Sequence, residues 1–272
     1  MKFLSYQEVS KIINVALCSA SIESLKTPHT FIRPQIHLLL DGRIGSGKSS
    51  ILFDVGAAIN QIPVTGLTRA NILGTVDKDT KDFIPPAIWD ARNSALLVDE
   101  FDVGPKDFSG REALKAMLII MEKPEYVKRI SFAPREYKKK SGGLYCVVKD
   151  GKISCKTRFI FFGNTMMNLS RTQMQELKAL ASRCIVIPYY PSLEDLKRKS
   201  RGEPAYIYKK LLPKKKKVVI SKKIYNQILA FIENKDVKET RYLRLIGDLC
   251  RVYAVVGKID EELFNLIVGL SE

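Results

Sequence analysis

Lys48 and Ser49 close the octet Gly42-Arg-Ile-Gly-Ser-Gly-Lys-Ser49, in which glycines precede a lysine and a hydroxyl at the spacing of a phosphate-binding loop. Such glycines let backbone N–H groups turn inward around an anion, so Gly42, Gly45, Ser46, Gly47, Lys48, Ser49 and Ser50 are the candidate nucleotide-binding residues. Lys48 would reach the β- and γ-phosphates, and the Ser49 hydroxyl stands where Mg²⁺ takes a ligand. Farther along, the apolar run Ala95-Leu-Leu-Val98 ends in Asp99-Glu100. A carboxylate at the tip of a buried strand is costly unless a cation balances it, which suits Asp99 as a second metal ligand. Glu100 beside it would orient and deprotonate a water. Two neighbouring acids favour hydrolysis over transfer to a bound acceptor.

Elements of definite type must hold these groups. The run Ile36 to Leu40 reads as a buried strand ahead of the loop, and Ser50 to Ile59 as a helix aiming its positive end at the same anion. Further strand-like runs occur at Arg158 to Phe162 and Cys184 to Pro188, with helical stretches at Gly110 to Met121 and Thr172 to Leu180. The alternation predicts an α/β fold, a P-loop type three-layer αβα core around a parallel sheet. Ser5-Tyr-Gln-Glu8 matches a capping box before Val9, Ile12, Ile13, Ala16 and Leu17, so an amphipathic helix is expected there.

The third strand ends in Gly163-Asn164-Thr165, where an amide can hold the attacking water or touch the γ-phosphate. Arg183 stands at the entrance of the next strand, placed to project toward a neighbouring subunit's nucleotide. Asp150-Gly151 is a tight-turn signal. It pairs Lys149 with Lys152, Val148 with Ile153, Val147 with Ser154 and Cys146 with Cys155. The facing cysteines are compatible with reduced packing or with a bridge.

The chain has 272 residues and a mass of 30.8 kDa, with 45 Lys and Arg against 29 Asp and Glu. The resulting net charge of +16 predicts attraction to a polyanion, nucleic acid first, with a membrane surface or a solubility role also compatible. Apolar runs are too short to span a bilayer and no signal-peptide core follows Met1, so a cytoplasmic protein with no membrane partner is expected. Five cysteines without a C-x-x-C pair argue against a zinc or redox motif, and two histidines leave little material for histidine catalysis. Three segments are expected: residues 1–190 as the nucleotide-binding core with a hairpin at about 144–157, 191–220 as a basic connector, and 221–272 as a small C-terminal helical lid.

With these motifs in hand, the chain resembles the AAA+ ATPases, and within them the ATPase core of the MCM replicative helicases. Tyr6-Gln-Glu-Val-Ser-Lys11 is similar to the helix opening that core, Val64 to Thr68 to the segment after the P-loop helix, and Asp99-Glu-Phe-Asp102 to its D-E-F-D. Gly163-Asn164-Thr165 resembles the sensor 1 turn, and Ala181-Ser-Arg183 the S-R finger. Thr240-Arg241-Tyr242-Leu243 resembles the lid helix carrying sensor 2, which makes Arg241 the matching residue. The chain departs from the family in lacking its large N-terminal DNA-encircling domain, in Cys184 after the finger arginine, and in an expanded region from Glu122 to Tyr145. A viral or plasmid replication ATPase is as compatible as a cellular one.

The resemblance implies a minimal ring motor, a hexamer coupling ATP hydrolysis with Mg²⁺ to movement on, or opening of, single- or double-stranded DNA, with other replication proteins as possible partners. Lys48, Glu100, Asn164, Arg183 and Arg241 would carry catalysis, and Ser49 and Asp99 the metal. Lys149 and Lys152 would meet the DNA backbone in a central pore, which accounts for like charges set opposite each other. Alternatives are an initiator or helicase loader of the DnaA type, and a protein-remodelling AAA+ module. A monomeric P-loop kinase fits less well with Arg183 and the basic excess.

Overall fold

The computed structural model describes residues 4–43, 45–64, 72, 74–77, 79–80, 82–84, 95–101, 108–122, 125–129, 137–141, 144–149, 152–156, 160–165, 178–203, 216–235, 237 and 239–271. The Ser5 hydroxyl accepts from the Glu8 N–H while the Glu8 carboxylate accepts from the Ser5 N–H at 2.8 Å, and this capping box opens α1 (Tyr6–Ser19). Val9, Ile12, Ile13 and Ala16 are buried as their spacing predicts and Leu17 is partly so, while Ser10, Asn14, Val15 and Cys18 are buried as well, so α1 is enclosed on more than the one expected face. Then follow β1 (Ser24–Lys26), β2 (Phe31–Ile32), β3 (His37–Asp41), α2 (Lys48–Ile59), β4 (Thr75–Val76), β5 (Phe83–Ile84) and β6 (Ala95–Phe101).

The middle of the chain holds α3 (Phe108–Glu122), β7 (Glu125–Arg129), β8 (Tyr137–Ser141), β9 (Leu144–Lys149), β10 (Lys152–Lys156), β11 (Ile160–Thr165) and β12 (Cys184–Pro188). After it come α4 (Leu193–Ser200), β13 (Lys217–Val219), α5 (Lys222–Glu233), α6 (Glu239–Val256) and α7 (Glu261–Ser271). Of the helix expected at Thr172 to Leu180, residues 172–177 lie outside the described residues, as do the Asp150-Gly151 turn and Asp102.

The protein is a mixed α/β fold built on a four-stranded, all-parallel sheet in the order β12-β3-β11-β6. Its strands are near-continuous apolar runs because both faces are covered: Leu38, Leu39, Leu40, Leu96, Leu97, Phe161 and Phe162 are all buried. α2 packs on β6 and β11, α1 on β3 and β11, and α7 on β12. Outside β6, Val64 adds a parallel bridge to Val98. This arrangement is compatible with the P-loop-like α/β core expected from the sequence.

Three further sheets occur among the described residues, one of them the two-stranded antiparallel pair β4-β5. β13 pairs in parallel with β1, which pairs antiparallel with β2, so the segment expected as a basic connector supplies a helix and a strand. α5, α6 and α7 pack in succession, and α1 packs on α6 and α7 within the same hydrophobic core. Lys11 pairs with Glu262 at 2.6 Å, and Arg251 Nε donates to the Arg33 carbonyl at 2.8 Å. The remaining sheet is four-stranded and antiparallel, β7-β10-β9-β8, with the hairpin β9-β10 at its centre.

Candidate functional site

β3 delivers the chain to Gly42, where the end of β12 presses close. The Tyr189 N–H donates to the Asp41 carbonyl at 2.6 Å, and a Cβ at Gly42 would stand 2.4 Å from the Tyr189 carbonyl oxygen. Only glycine fits there without a shift of backbone. Gly47, with φ of 90°, takes the N-cap position of α2 and offers no side-chain acceptor, which leaves the helix's positive end suited to an anion. Lys48 is buried at the start of α2, and its Nζ donates to the carbonyls of Gly42 at 2.6 Å and Arg43 at 2.8 Å. The ammonium is thereby held over the mouth of the Gly42–Ser49 loop.

Three further groups meet there. Asn164 Nδ2 donates to Asp99 Oδ1 at 2.6 Å and approaches the Ser49 hydroxyl at 3.4 Å. Asn164 and Asp99 are both buried, so this hydrogen bond offsets part of the cost of the carboxylate's desolvation. Backbone pairing fixes each partner: Asn164 pairs with Leu40 of β3, and the β11-β6 register shifts between Gly163 and Thr165, an irregularity of the kind that re-aims a side chain. The Asp99 N–H donates to the Val64 carbonyl at 3.0 Å. Ser49, Asp99 and Asn164 therefore converge beyond the carboxyl ends of adjacent parallel strands, where open α/β sheets bind ligands. The Glu100 backbone continues β6 beside Asp99, and its side chain lies outside the described residues.

A hydroxyl and a carboxylate oxygen drawn to one amide nitrogen suit Mg²⁺, which takes oxygen ligands and completes its shell with water and substrate phosphates. Among the described residues, no group of three or more His, Cys, Asp and Glu side chains could hold a metal by itself.

Lys199, on the last turn of α4, also reaches this end. Its Nζ donates to the Ser50 hydroxyl at 2.6 Å and would stand 3.1 Å from a Cβ at Gly47. Sequence reasoning missed it because nothing in the spacing separates Lys199 from Lys197, Arg198 and Arg201 around it.

Arg183 and Arg241 are not brought to the loop. Arg183 precedes Cys184, the first residue of β12, which pairs with His37, the first residue of β3, so it stands at the opposite end of the parallel strands. Its guanidinium pairs with Glu122 and donates to the Ala179 carbonyl at 2.7 Å. Arg241 is exposed near the start of α6; one turn on, Arg244 donates to the Cys184 carbonyl and pairs with Asp248. A cavity of about 370 Å³ opens at this end among Arg33, His37, Arg183, Arg244 and Arg251. His37 is buried there, accepts from the Phe161 N–H at 2.9 Å, and is held well below the ordinary histidine range by burial first and by the charges of Arg33 and Arg251 second.

In the antiparallel sheet Lys149 pairs with Lys152, Val148 with Ile153, Val147 with Ser154 and Cys146 with Cys155, the register the turn signal predicts. Lys152 also pairs with Arg129 on its other side, so three basic residues form one row across β7, β10 and β9. Among the described residues, no helix is long and apolar enough to cross a membrane. No protein-family model matches the chain, and no curated protein matches it.

Proposed function

We propose that the chain is an ATP-hydrolysing motor of the AAA+ class that acts on DNA as a ring, resembling a minimal MCM-type helicase core. The observation that carries the reading is the meeting of Lys48, Ser49, Asp99 and Asn164 at one end of the parallel sheet, against the N-terminus of α2. Backbone N–H groups of the loop and Lys48 hold the triphosphate, Ser49 and Asp99 hold Mg²⁺, and Asn164 orients the water that Glu100 deprotonates. When bound, Mg²⁺ neutralises charge developing on the phosphate oxygens. The net charge of +16 and the Arg129–Lys152–Lys149 row support a polyanionic partner.

Equilibrium nucleotide binding and steady-state hydrolysis separate the roles. Lys48→Ala should abolish binding, because a cation and its phosphate hydrogen bonds go together, whereas Glu100→Gln should bind ATP and fail to turn it over. Normal turnover in Glu100→Gln would remove the base assignment. DNA-stimulated hydrolysis with strand displacement favours the motor; stimulation without displacement favours a loader or initiator.

A further inference from the structure

Lys199 lies outside the loop motif, yet its ammonium is 2.6 Å from the hydroxyl of Ser50, in the first turn of α2, and lies against Gly47 at the N-cap. Ser49 and Ser50 are consecutive helical residues and project about 100° apart around the axis. Ser49 faces Asn164 and Asp99, so Lys199 approaches the loop from a different flank, away from the metal ligands. Backbone N–H groups of such a loop cradle the α- and β-phosphates, and a cation against the N-cap of the helix that follows stands beside that cradle. A capping box opens the α4 helix and fixes its start: the Ser192 hydroxyl accepts from the Asp195 N–H, and Asp195 is buried and accepts from the Ser192 N–H at 3.0 Å. Arg198, the neighbour of Lys199, is paired with Glu203 at 2.7 Å, whereas the ammonium of Lys199 is directed at the loop.

We propose that Lys199 is a second phosphate-binding cation of the site, contacting the α,β-diphosphate portion that nucleoside di- and triphosphates share. The proposal rests on the reading of the Gly42–Ser49 loop as a nucleotide site. The contact is indifferent to the γ-phosphate, in contrast to Lys48.

Titration calorimetry with ADP, ATP and adenosine, each with Mg²⁺, tests this on the full chain. Lys199→Ala should weaken ADP and ATP alike by about tenfold, the low end of what a hydrogen bond to a charged group contributes. Adenosine binding should not change. Lys199→Arg, which keeps the charge, should bind both nucleotides within about threefold of the parent chain. Lys199 is exposed, so thermal unfolding of both variants should match the parent. Unchanged ADP and ATP affinity in Lys199→Ala, or a loss confined to ATP, overturns the proposal while leaving the site reading intact if Lys48→Ala still abolishes binding. If the parent chain binds neither nucleotide, the site reading falls and Lys199's role falls with it.

Discussion

Lys48 and His37 mark the two ends of one strand's neighbourhood and show how burial sets what a polar group can do. Lys48 is buried, and its ammonium donates to two carbonyls of the loop it serves, which offsets part of the cost of burying the charge. His37 is buried against Arg33 and Arg251, and the neutral ring is the form the fold accommodates. Its folded pKa is depressed, so its contribution to stability is fully present above the unfolded value near 6.5 and is lost as pH falls below it. Between about pH 7.5 and 5.5 the unfolded state takes up a proton that the folded ring refuses, a loss on the order of 1 kcal/mol. Urea denaturation at both pH values should show this loss in the parent chain and not in His37→Gln, which keeps an acceptor for the Phe161 N–H. Equal losses in the two proteins would mean that the ring is not the group responsible. The buried thiols behave consistently: burial pushes Cys18 up to about 11 and Cys250 to about 12, so neither is a nucleophile at neutral pH.

At the scale of elements, the antiparallel sheet carries an electrostatic problem that a bound polyanion would solve. Arg129, Lys152 and Lys149 stand opposite one another on three adjacent strands, and like charges so placed destabilise a sheet. Replacing Lys149 and Lys152 together with alanine should leave basal ATPase intact and weaken DNA binding, while the salt slope drops by about 0.7 to 0.9 for each phosphate that is no longer neutralised. An unchanged slope in a folded protein would move the DNA-binding surface to the basic segment between Lys197 and Lys223. The four strands of the parallel sheet were legible in the sequence because each is a short apolar run, and three of them end at residues placed in the candidate site while Arg183 precedes the fourth. The hairpin register was legible from Asp150-Gly151 alone. By contrast, β7 and β8 fall within the expanded region from Glu122 to Tyr145, where lysines interrupt any alternation, and β1, β2 and β13 are too short for a period to declare itself. Lys199 was illegible for another reason: its hydrogen bond to Ser50 spans a long stretch of chain and belongs to tertiary structure.

Across the whole molecule, the candidate groups divide between two ends of the parallel sheet, with the loop, Asp99 and Asn164 at one and Arg183 at the other. The single chain does not bring Arg183 to its own loop, so any role at a nucleotide would have to be played on the neighbouring subunit of the ring proposed above. Arg183→Ala should therefore bind ATP nearly as the parent does and lose hydrolysis, and mixing it with Glu100→Gln should restore part of the activity, because some interfaces join an intact finger to an intact acidic strand. Hydrolysis rates across mixing ratios, with assembly checked by light scattering, decide this. Uniform inactivity in properly assembled mixtures would leave the trans role without support. Arg183 is paired with Glu122 in the structure, so the proposed trans role would require that partner to be exchanged for a phosphate.

The parallel pairing of β1 with β13 bears on how the chain folds. Ser24 meets Lys217, and α1, which packs on β3 and β11, also packs on α6 and α7, so contacts of very long sequence separation close one hydrophobic core. Closure over so long a loop is slow, and the part of α1 that meets α6 and α7 stays uncovered until those helices dock. The Gly42–Ser49 loop lies in sequence between these late-meeting segments, so the core beneath it is completed only when they join.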